Sequence, residues 1–238
     1  MTDGMLPDPL LLAELIAARI CHDLSGPIGP MAGMLELARE DPEAAGEALA
    51  LVTETAAALV ARIRLLRAAW GGDCGALDVE AIGALVASGL GRKRVTIDLS
   101  GLARSGDLSG PARTGDLSGP ARTGHGQPPL APATARLLLN VLMLGTESLP
   151  GGGTLACAGE LDGDILITIT GPRAAWPAGL AACLADPGAA GPMLQDPRSL
   201  QVPLIALLAS RPGPRLSLLF GAAAGETAPP LLISPRDR

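Results

Sequence analysis

The sequence predicts an α+β protein in two parts, an N-terminal antiparallel helical hairpin (residues 1–72) and a C-terminal domain that mixes helices and strands (residues 73–238). Two observations support this division. Up to residue 72, apolar side chains recur every three or four positions, which is the period of a helix. After Gly75, short apolar segments flank turn residues, which is typical of strands. The chain of 238 residues is long enough for both parts to have a core.

The hairpin consists of one helix from Pro9 to about Arg39 and a second that opens at Asp41-Pro42 and runs to Trp70. Asp is a favoured helix cap, Pro suits the first turn, and Gly71-Gly72 ends the pattern. The two apolar stripes are formed by Leu12, Ile16, Ile20, Leu24, Pro27, Met31 and Met34, and by Leu49, Val52, Ala56, Leu59, Ile63, Leu66 and Trp70. Two helices of about 45 Å each bury only part of such stripes against one another. We therefore expect a homodimer whose two hairpins form a four-helix bundle.

The C-terminal domain is predicted to contain helices near 77–90, 134–149 and 199–210, with a short one beginning near Trp176. Strands are predicted near 94–99, on both sides of the Asp162-Gly163-Asp164 turn, and near 216–220 and 231–234. Residues 101–129 contain a nine-residue unit twice in tandem, at 107–115 and 116–124. The unit is rich in Gly and Pro and has no apolar face. We expect 101–129 to be a flexible surface insertion.

Composition excludes several classes of protein. The net charge is −6, no basic run occurs, and the aromatic residues number three, so neither duplex nor single-stranded nucleic acid is an expected partner. The N-terminus is acidic and its apolar run is interrupted by Glu14, unlike a signal peptide. No apolar run is long enough for a membrane span. The four cysteines are far apart and form no C-x-x-C pair, so we expect reduced, buried thiols, no metal site and a cytoplasmic location.

His22 is the main candidate for chemistry. The other histidine, His125, lies in the predicted insertion, where nothing would orient it. At 100° per residue His22 lies roughly 150° from the centre of the first apolar stripe, so its ring should face solvent. Four small residues lie within about 40° of it and would form a smooth docking face for another protein: Ala18, Gly26, Gly29 and Gly33. The alternative is that Gly26-Pro27 and Gly29-Pro30 only kink or break the helix.

An exposed imidazole limits the possible chemistry. The sequence has no G-x-S-x-G motif for a hydrolase, and two distant histidines cannot supply a zinc site. A neutral imidazole is, however, a good nucleophile near pH 7 and can hold a phosphoryl group. Asp23, the next residue, could orient the ring or take its proton.

The segment Ile20-Cys21-His22-Asp23-Leu24-Ser25-Gly26-Pro27 resembles the H-box of dimerising phosphotransfer helices in two-component signalling. Residues 136–149, with Gly151-Gly152-Gly153-Thr154, resemble the first helix and next strand of a histidine-kinase ATP-binding domain. The nucleotide motifs of such kinases are missing. Leu144 stands where the Mg²⁺-binding Asn belongs, and Asn140 comes one turn too early. Thr170-Gly171-Pro172-Arg173 replaces the Asp-x-Gly-x-Gly loop, and the glycine-rich lid is absent, so the domain should not bind ATP.

Together these features are similar to the histidine phosphotransferases of the ChpT family, over nearly the whole chain except 101–129. The resemblance implies a dimeric bundle flanked by degenerate, Bergerat-type ATPase-like α/β sandwich domains. It also implies that His22, helped by Asp23, takes phosphoryl from the receiver Asp of a hybrid kinase of the CckA type and passes it to response regulators of the CtrA and CpdR type. No cofactor is expected in this chain, because the receiver brings its own Mg²⁺. Gly26 stands where such helices often have a polar residue, which leaves any phosphatase activity open.

Two other functions remain open from the sequence. One is an active histidine kinase with an unusual nucleotide site. The other is a non-catalytic dimeric scaffold in which His22 is an ordinary surface residue.

Overall fold

A computed structural model describes residues 8–72, 75–91, 94–103, 129–194, 196–219 and 226–235. The helices are α1 (Pro9–Glu40), α2 (Ala45–Trp70), α3 (Val79–Gly89), α4 (Pro132–Glu147), α5 (Leu180–Ala185) and α6 (Gln201–Ser210). The strands are β1 (Val95–Ala103), β2 (Gly153–Glu160), β3 (Ile165–Thr170), β4 (Arg215–Leu218) and β5 (Leu231–Ser234). Two 3₁₀ helices, Pro187–Met193 and Pro197–Ser199, lie between α5 and α6. The predicted α+β class, with an N-terminal helical part and a C-terminal sheet, is confirmed.

The first helix is longer than its prolines suggest. Asp8 caps α1 by accepting a hydrogen bond from the backbone N–H of Leu10 at 2.9 Å, and Pro9 occupies the first turn. The helix then continues through Pro27 and Pro30 to Glu40. The alternative that the Gly-Pro pairs break it is therefore wrong.

The second helix begins slightly later than predicted. The Asp41 carboxylate accepts hydrogen bonds from the N–H groups of Glu43 and Ala44 at 2.9 and 3.3 Å. These bonds hold a turn over residues 42–44, so the regular helix starts at Ala45 instead of Pro42. It ends at Trp70 as predicted, where the N–H of Gly71 bonds to the carbonyl of Arg67.

The five strands form one sheet in the order β1-β2-β3-β5-β4. β1 and β2 are parallel, and all other neighbours are antiparallel. β1 extends to Ala103, so residues 101–103, predicted to belong to the insertion, are part of the sheet. The rest of the repeat region, with His125, lies outside the described residues. The short helix predicted near Trp176 begins at Leu180.

The core is centred on α4. Eleven of its 16 residues are buried, and it packs against α2, α3, α6 and β2. The buried faces of β2, β3 and β5 are supplied by alternate residues such as Leu155, Ile167 and Ile233. No helix among the described residues is long and apolar enough to cross a membrane.

The cysteine prediction holds only in part. Cys157 and Cys183 are buried free thiols, Cys21 is exposed on α1, and Cys74 lies outside the described residues. The prediction that all the thiols are buried is therefore wrong for Cys21, because the stripe of α1 that packs inward does not include it. Burial raises the pKa of the Cys157 thiol to about 12, with a smaller contribution from the charge of Asp98, so this thiol stays protonated.

Candidate functional site

The His22 ring lies at the surface, as its angular position on α1 predicted. Its side chain is 64% exposed. It borders a cleft of about 450 Å³ between the hairpin and the C-terminal domain. The walls of the cleft come from α1, α2, the end of α3 and the end of α4; they include Arg19, Asp23, Leu59, Arg62, Gly89 and Glu147. The imidazole is thus open to solvent on one side and faces charged groups on the other.

The small residues predicted to surround His22 are also exposed: Ala18, Gly26, Gly29 and Gly33. A methyl group added at any of the three glycines would meet nothing within 4 Å. Internal packing therefore does not require glycine at these positions. The smooth face is present, and its use for docking remains a prediction.

The prolines after His22 alter the backbone. A helical N–H bonds to the carbonyl four residues earlier, so Pro27 leaves the carbonyl of Asp23 without its helical donor, and Pro30 does the same for Gly26. The hydroxyl of Ser25 donates to the carbonyl of His22 at 3.3 Å. The helix turn that follows the imidazole is consequently held by fewer backbone hydrogen bonds than an ordinary turn.

Asp23 is held by two arginines. Its Oδ2 accepts a hydrogen bond from Arg62 Nη2 at 2.7 Å, and its Oδ1 accepts one from Arg19 Nε at 3.1 Å. The same Oδ1 lies 3.5 Å from His22 Nδ1. The Asp23 side chain is only 14% exposed. Both of its oxygens are therefore fixed in place, one of them beside the imidazole.

The environment keeps Asp23 ionised. Partial burial alone would raise the pKa of this carboxyl group. The hydrogen bond from Arg62 and the charges of Arg19 and Arg62 outweigh that effect, and the pKa lies below the ordinary 3.8. A carboxylate with a low pKa is a poor proton acceptor. Of the two roles suggested by the sequence, orienting the ring fits this site better than taking its proton.

Arg19 connects the hairpin to the C-terminal domain. Besides Asp23, it donates from Nη2 to Glu147 Oε1 at 2.8 Å. It also reaches the carbonyls of Pro197 and Arg198 at 3.5 and 3.4 Å. Desolvation would lower the pKa of Arg19, but the charges of Glu147 and Asp23 and the hydrogen bonds to them outweigh it and raise the pKa above its ordinary value. Arg19 therefore remains a cation between two carboxylates.

Sequence reasoning missed Arg19, Arg62 and Glu147. Arg19 and Asp23 are four residues apart on one helix, a spacing that commonly brings opposite charges together, so this pair could have been found. Arg62 and Glu147 lie 39 and 128 residues from their partners. No local signal in the sequence marks either of them.

Asn140 lies on α4 about two turns before Glu147 and is fully buried. Its amide N–H groups donate to the carbonyls of Ala69 and Arg136 at 2.9 and 2.8 Å. Its Oδ1 accepts from Trp70 Nε1 at 3.0 Å and from Gln201 Nε2 at 2.9 Å. All the polar capacity of this amide is used within the protein, where it joins the end of α2 to α4 and α6.

Arg136 adds to this junction. Its guanidinium donates to the carbonyls of Ala69 and Trp70 at 3.1 and 3.2 Å. The last carbonyls of α2 are thus satisfied by α4, with a cation at the negative end of the helix. Leu144, at the position where a kinase has its Mg²⁺-binding Asn, is buried in the core. No group of three His, Cys, Asp or Glu that could hold a metal occurs in the described part of the chain.

Comparisons with known proteins agree with this architecture. Residues 125–223 match the family described as "Histidine phosphotransferase C-terminal domain". The chain is 29% identical over 211 residues to the protein phosphotransferase ChpT of Brucella abortus (strain 2308), covering 87% of this chain and 89% of that protein. A solved structure described as a bacterial phosphotransferase matches with a TM-score of 0.69 and 25% identity, covering 98% of this chain and all of the other. The resemblance predicted from the sequence is confirmed.

Proposed function

Because the chain is a homologue of the ChpT phosphotransferases, we propose that it transfers phosphoryl groups between aspartate residues of partner proteins through His22. One observation supports this most directly. The His22 imidazole is exposed at the rim of a cleft, next to a carboxylate that two arginines keep ionised. A phosphorelay intermediate needs an accessible nucleophile and a group that orients it, and the positions of His22 and Asp23 support these two roles.

In the proposed step, Nε2 of His22 is the nucleophile. Neutral His22 holds its proton on Nδ1, facing Asp23, so the lone pair of Nε2 is free to attack. Nε2 forms a bond to the phosphorus of an aspartyl phosphate while the P–O bond to the partner's carboxylate breaks. The aspartate leaves as an anion, and the ring keeps its Nδ1 proton and becomes positively charged. Asp23 stabilises that charge, and the reverse sequence passes the phosphoryl group on.

The 3.5 Å separation between His22 Nδ1 and Asp23 Oδ1 is long for a hydrogen bond. Catalytic hydrogen bonds are often long before the partner binds and shorten in the complex. In this proposal the incoming receiver domain supplies Mg²⁺ and its own acidic pocket. This chain then needs to supply only a positioned nucleophile.

The proposed partners are the receiver domain of a hybrid histidine kinase of the CckA type, as donor, and response regulators of the CtrA and CpdR type, as acceptors. They follow from the family resemblance. The smooth face around His22 supports them, because a receiver must bring its aspartate within bonding distance of Nε2. Gly26, Gly29 and Gly33 have no side chain, and Ala18, one turn before His22, has only a methyl group, so this face is open to such an approach.

We also propose that the chain is a homodimer. Nine large apolar side chains of the described hairpin residues are 37–65% exposed, and five of them recur at helical spacing: Ile28 and Leu35 on α1, and Leu49, Val60 and Ile63 on α2. At 100° per residue, Ile28 lies roughly 120° from His22 on α1. A second hairpin packed on this apolar face would complete a four-helix bundle and leave both His22 rings accessible.

The surroundings of Asn140 and Leu144 favour this proposal over an ATP-dependent kinase. Asn140 is fully buried and bonded to four protein groups, and Leu144 lies in the core. Neither residue is free to hold a metal ion on a nucleotide.

The decisive experiment incubates the full-length chain with a receiver domain carrying ³²P-labelled phosphoryl. We expect label on this chain that is labile in acid and stable in base, as for phosphohistidine. His22→Ala should abolish it. Ser25→Ala is the matched control, because Ser25 is the nearby exposed hydroxyl, and it should keep the label. Acid-stable label, or label that persists in His22→Ala, would rule out the proposal. Label taken directly from ATP would favour a kinase.

A further inference from the structure

We propose that Glu147 of the C-terminal domain is a positioning residue for His22. It holds Arg19, Arg19 holds Asp23, and Asp23 orients the imidazole. The inference rests on the proposed function and extends it, since it gives the C-terminal domain a part in the transfer site. Glu147 does not touch the ring, so its influence passes through two other side chains.

The contacts form an unbroken series. Glu147 Oε1 accepts from Arg19 Nη2 at 2.8 Å, and Arg19 Nε donates to Asp23 Oδ1 at 3.1 Å. This Oδ1 is the atom that faces His22 Nδ1. The other bonds of Arg19, to two backbone carbonyls, are 3.4 and 3.5 Å long and therefore weaker. Without Glu147, Arg19 would lose its shortest hydrogen bond and with it most of its fixed orientation.

The charges of the series alternate. Glu147 and Asp23 are negative, and Arg19 and Arg62 are positive, so the four sum to zero. Their side chains are between 14% and 28% exposed, so water and salt screen these charges less than at an open surface. Removing Glu147 would leave a net positive charge next to His22. That charge would disfavour the positively charged ring that forms on phosphorylation.

The C-terminal domain is built to hold Glu147 in place. Arg136, in the first half of α4, and Asn140, at its middle, bond to the end of α2. Glu147 is the last residue of the same helix. A helix of this length spans about 24 Å and is buried along most of it, so it acts as a rigid spacer. α4 is thus bonded to the hairpin at Arg136 and Asn140, and its last residue presents a carboxylate to Arg19.

The test compares three variants of the full-length chain, Glu147→Ala, Glu147→Gln and Glu80→Ala. Glu147→Gln keeps an oxygen that can accept from Arg19 but removes the charge. Glu80 is an exposed glutamate of the same domain, on α3 and away from the cleft, and serves as the matched control. Two quantities are measured for each variant. One is the rate of transfer from a phosphorylated receiver, and the other is the ¹⁵N NMR signal pair of the His22 ring.

We expect Glu147→Ala to slow transfer on the order of tenfold, because a charged hydrogen bond is lost. The ¹⁵N signals of His22 should shift from a ring protonated mainly on Nδ1 towards a mixture of tautomers. Glu147→Gln should restore most of the Nδ1-protonated form and part of the rate. Glu80→Ala should match the wild type in both measurements.

Wild-type rates and unchanged ring signals in folded Glu147→Ala would overturn the inference and leave the proposed function intact. If Glu147→Ala fails to fold, the same two measurements are made on Arg19→Lys. Lysine keeps the positive charge but has no planar group that can bond the carboxylates of Glu147 and Asp23 together. A wild-type rate and spectrum in Arg19→Lys would equally refute it. If the wild-type chain takes no label on His22, the proposed function fails, yet the ring signals still report on the positioning.

Discussion

Two helices of this protein, α1 and α4, have opposite surroundings. α1 has 32 residues, of which Leu15 alone is buried, whereas eleven of the 16 residues of α4 are buried. The polar groups of α4 are satisfied inside the protein, and Asn140 makes four hydrogen bonds there. The imidazole of α1 faces solvent.

The difference separates the helix that contributes most to stability from the helix on which we propose the chemistry. Substitutions in α4 remove buried contacts and should cost folding free energy. Substitutions on the exposed face of α1 should change transfer and leave folding almost unaffected. The Glu147–Arg19 bond is the point at which the two helices meet.

The largest effect on stability is expected for Asn140→Leu. The change leaves Trp70 Nε1, the Gln201 amide and the Ala69 carbonyl without one of their bonds in a buried setting. We expect a loss of about 3 kcal/mol or more in the free energy of unfolding, measured by urea denaturation. His22→Ala is the comparison on α1 and should stay within about 0.5 kcal/mol of wild type. Equal losses in both variants would contradict the contrast between the helices.

The second effect concerns assembly. Ile63→Glu places a charge on the exposed apolar face of the hairpin, where a partner hairpin would have to desolvate it. We expect sedimentation equilibrium to give the mass of one chain, 23.9 kDa, for this variant and twice that for the wild type. Leu51 is 43% exposed but lies on another side of α2, roughly 120° from Ile63. Leu51→Glu should therefore remain dimeric, and a monomeric wild type would refute the dimer.

A smaller effect is expected for Gly29→Ala. Alanine favours the helix by about 1 kcal/mol over glycine, and a methyl group meets nothing within 4 Å here. The melting temperature should therefore rise while transfer from the receiver slows, because the methyl group intrudes on the docking face. Gly46→Ala, at an exposed position early in α2, should stabilise without slowing transfer. Unchanged transfer in Gly29→Ala would show that the face need not be smooth.

The smallest effect is expected in the acid dependence of stability. The pKa of Asp23 lies below 3.8 in the folded protein, because the bond from Arg62 and the charges of both arginines outweigh its burial. Its contribution to stability is complete above the unfolded pKa and is lost as the pH falls through the lower, folded value. The difference in unfolding free energy between wild type and Asp23→Asn should therefore be constant above about pH 5 and shrink below pH 3.8. A difference in unfolding free energy that grows as the pH falls would contradict a lowered pKa for Asp23.

Much of the architecture follows from the sequence, because helical periodicity and turn residues are local signals. The bounds of α1, the end of α2 at Trp70 and the strands around Asp162-Gly163-Asp164 were predictable in this way. The exposure of His22 was also predictable, since it depends only on its angle to the apolar stripe. The late start of α2 was missed, because the Asp41 side chain holds the residues after Pro42 in a turn.

The charged groups next to His22 were not predictable, apart from the pair of Arg19 and Asp23, which are four residues apart on α1. Arg62 and Glu147 reach the site only through tertiary packing. The role of Asn140 is a further example. From the sequence it is a displaced nucleotide-site residue, and in the fold it is the amide that joins the two parts of the molecule.

The junction made by Asn140 and Arg136 has a consequence for how the molecule melts. The last carbonyls of α2 and the indole of Trp70 obtain their hydrogen bonds from helices of the other part of the chain. Separating the parts would break these bonds and expose apolar side chains of α2, such as Leu65 and Ala69, that are buried in the core shared with α4. We therefore expect a single calorimetric endotherm in which the hairpin and the sheet lose structure at the same temperature.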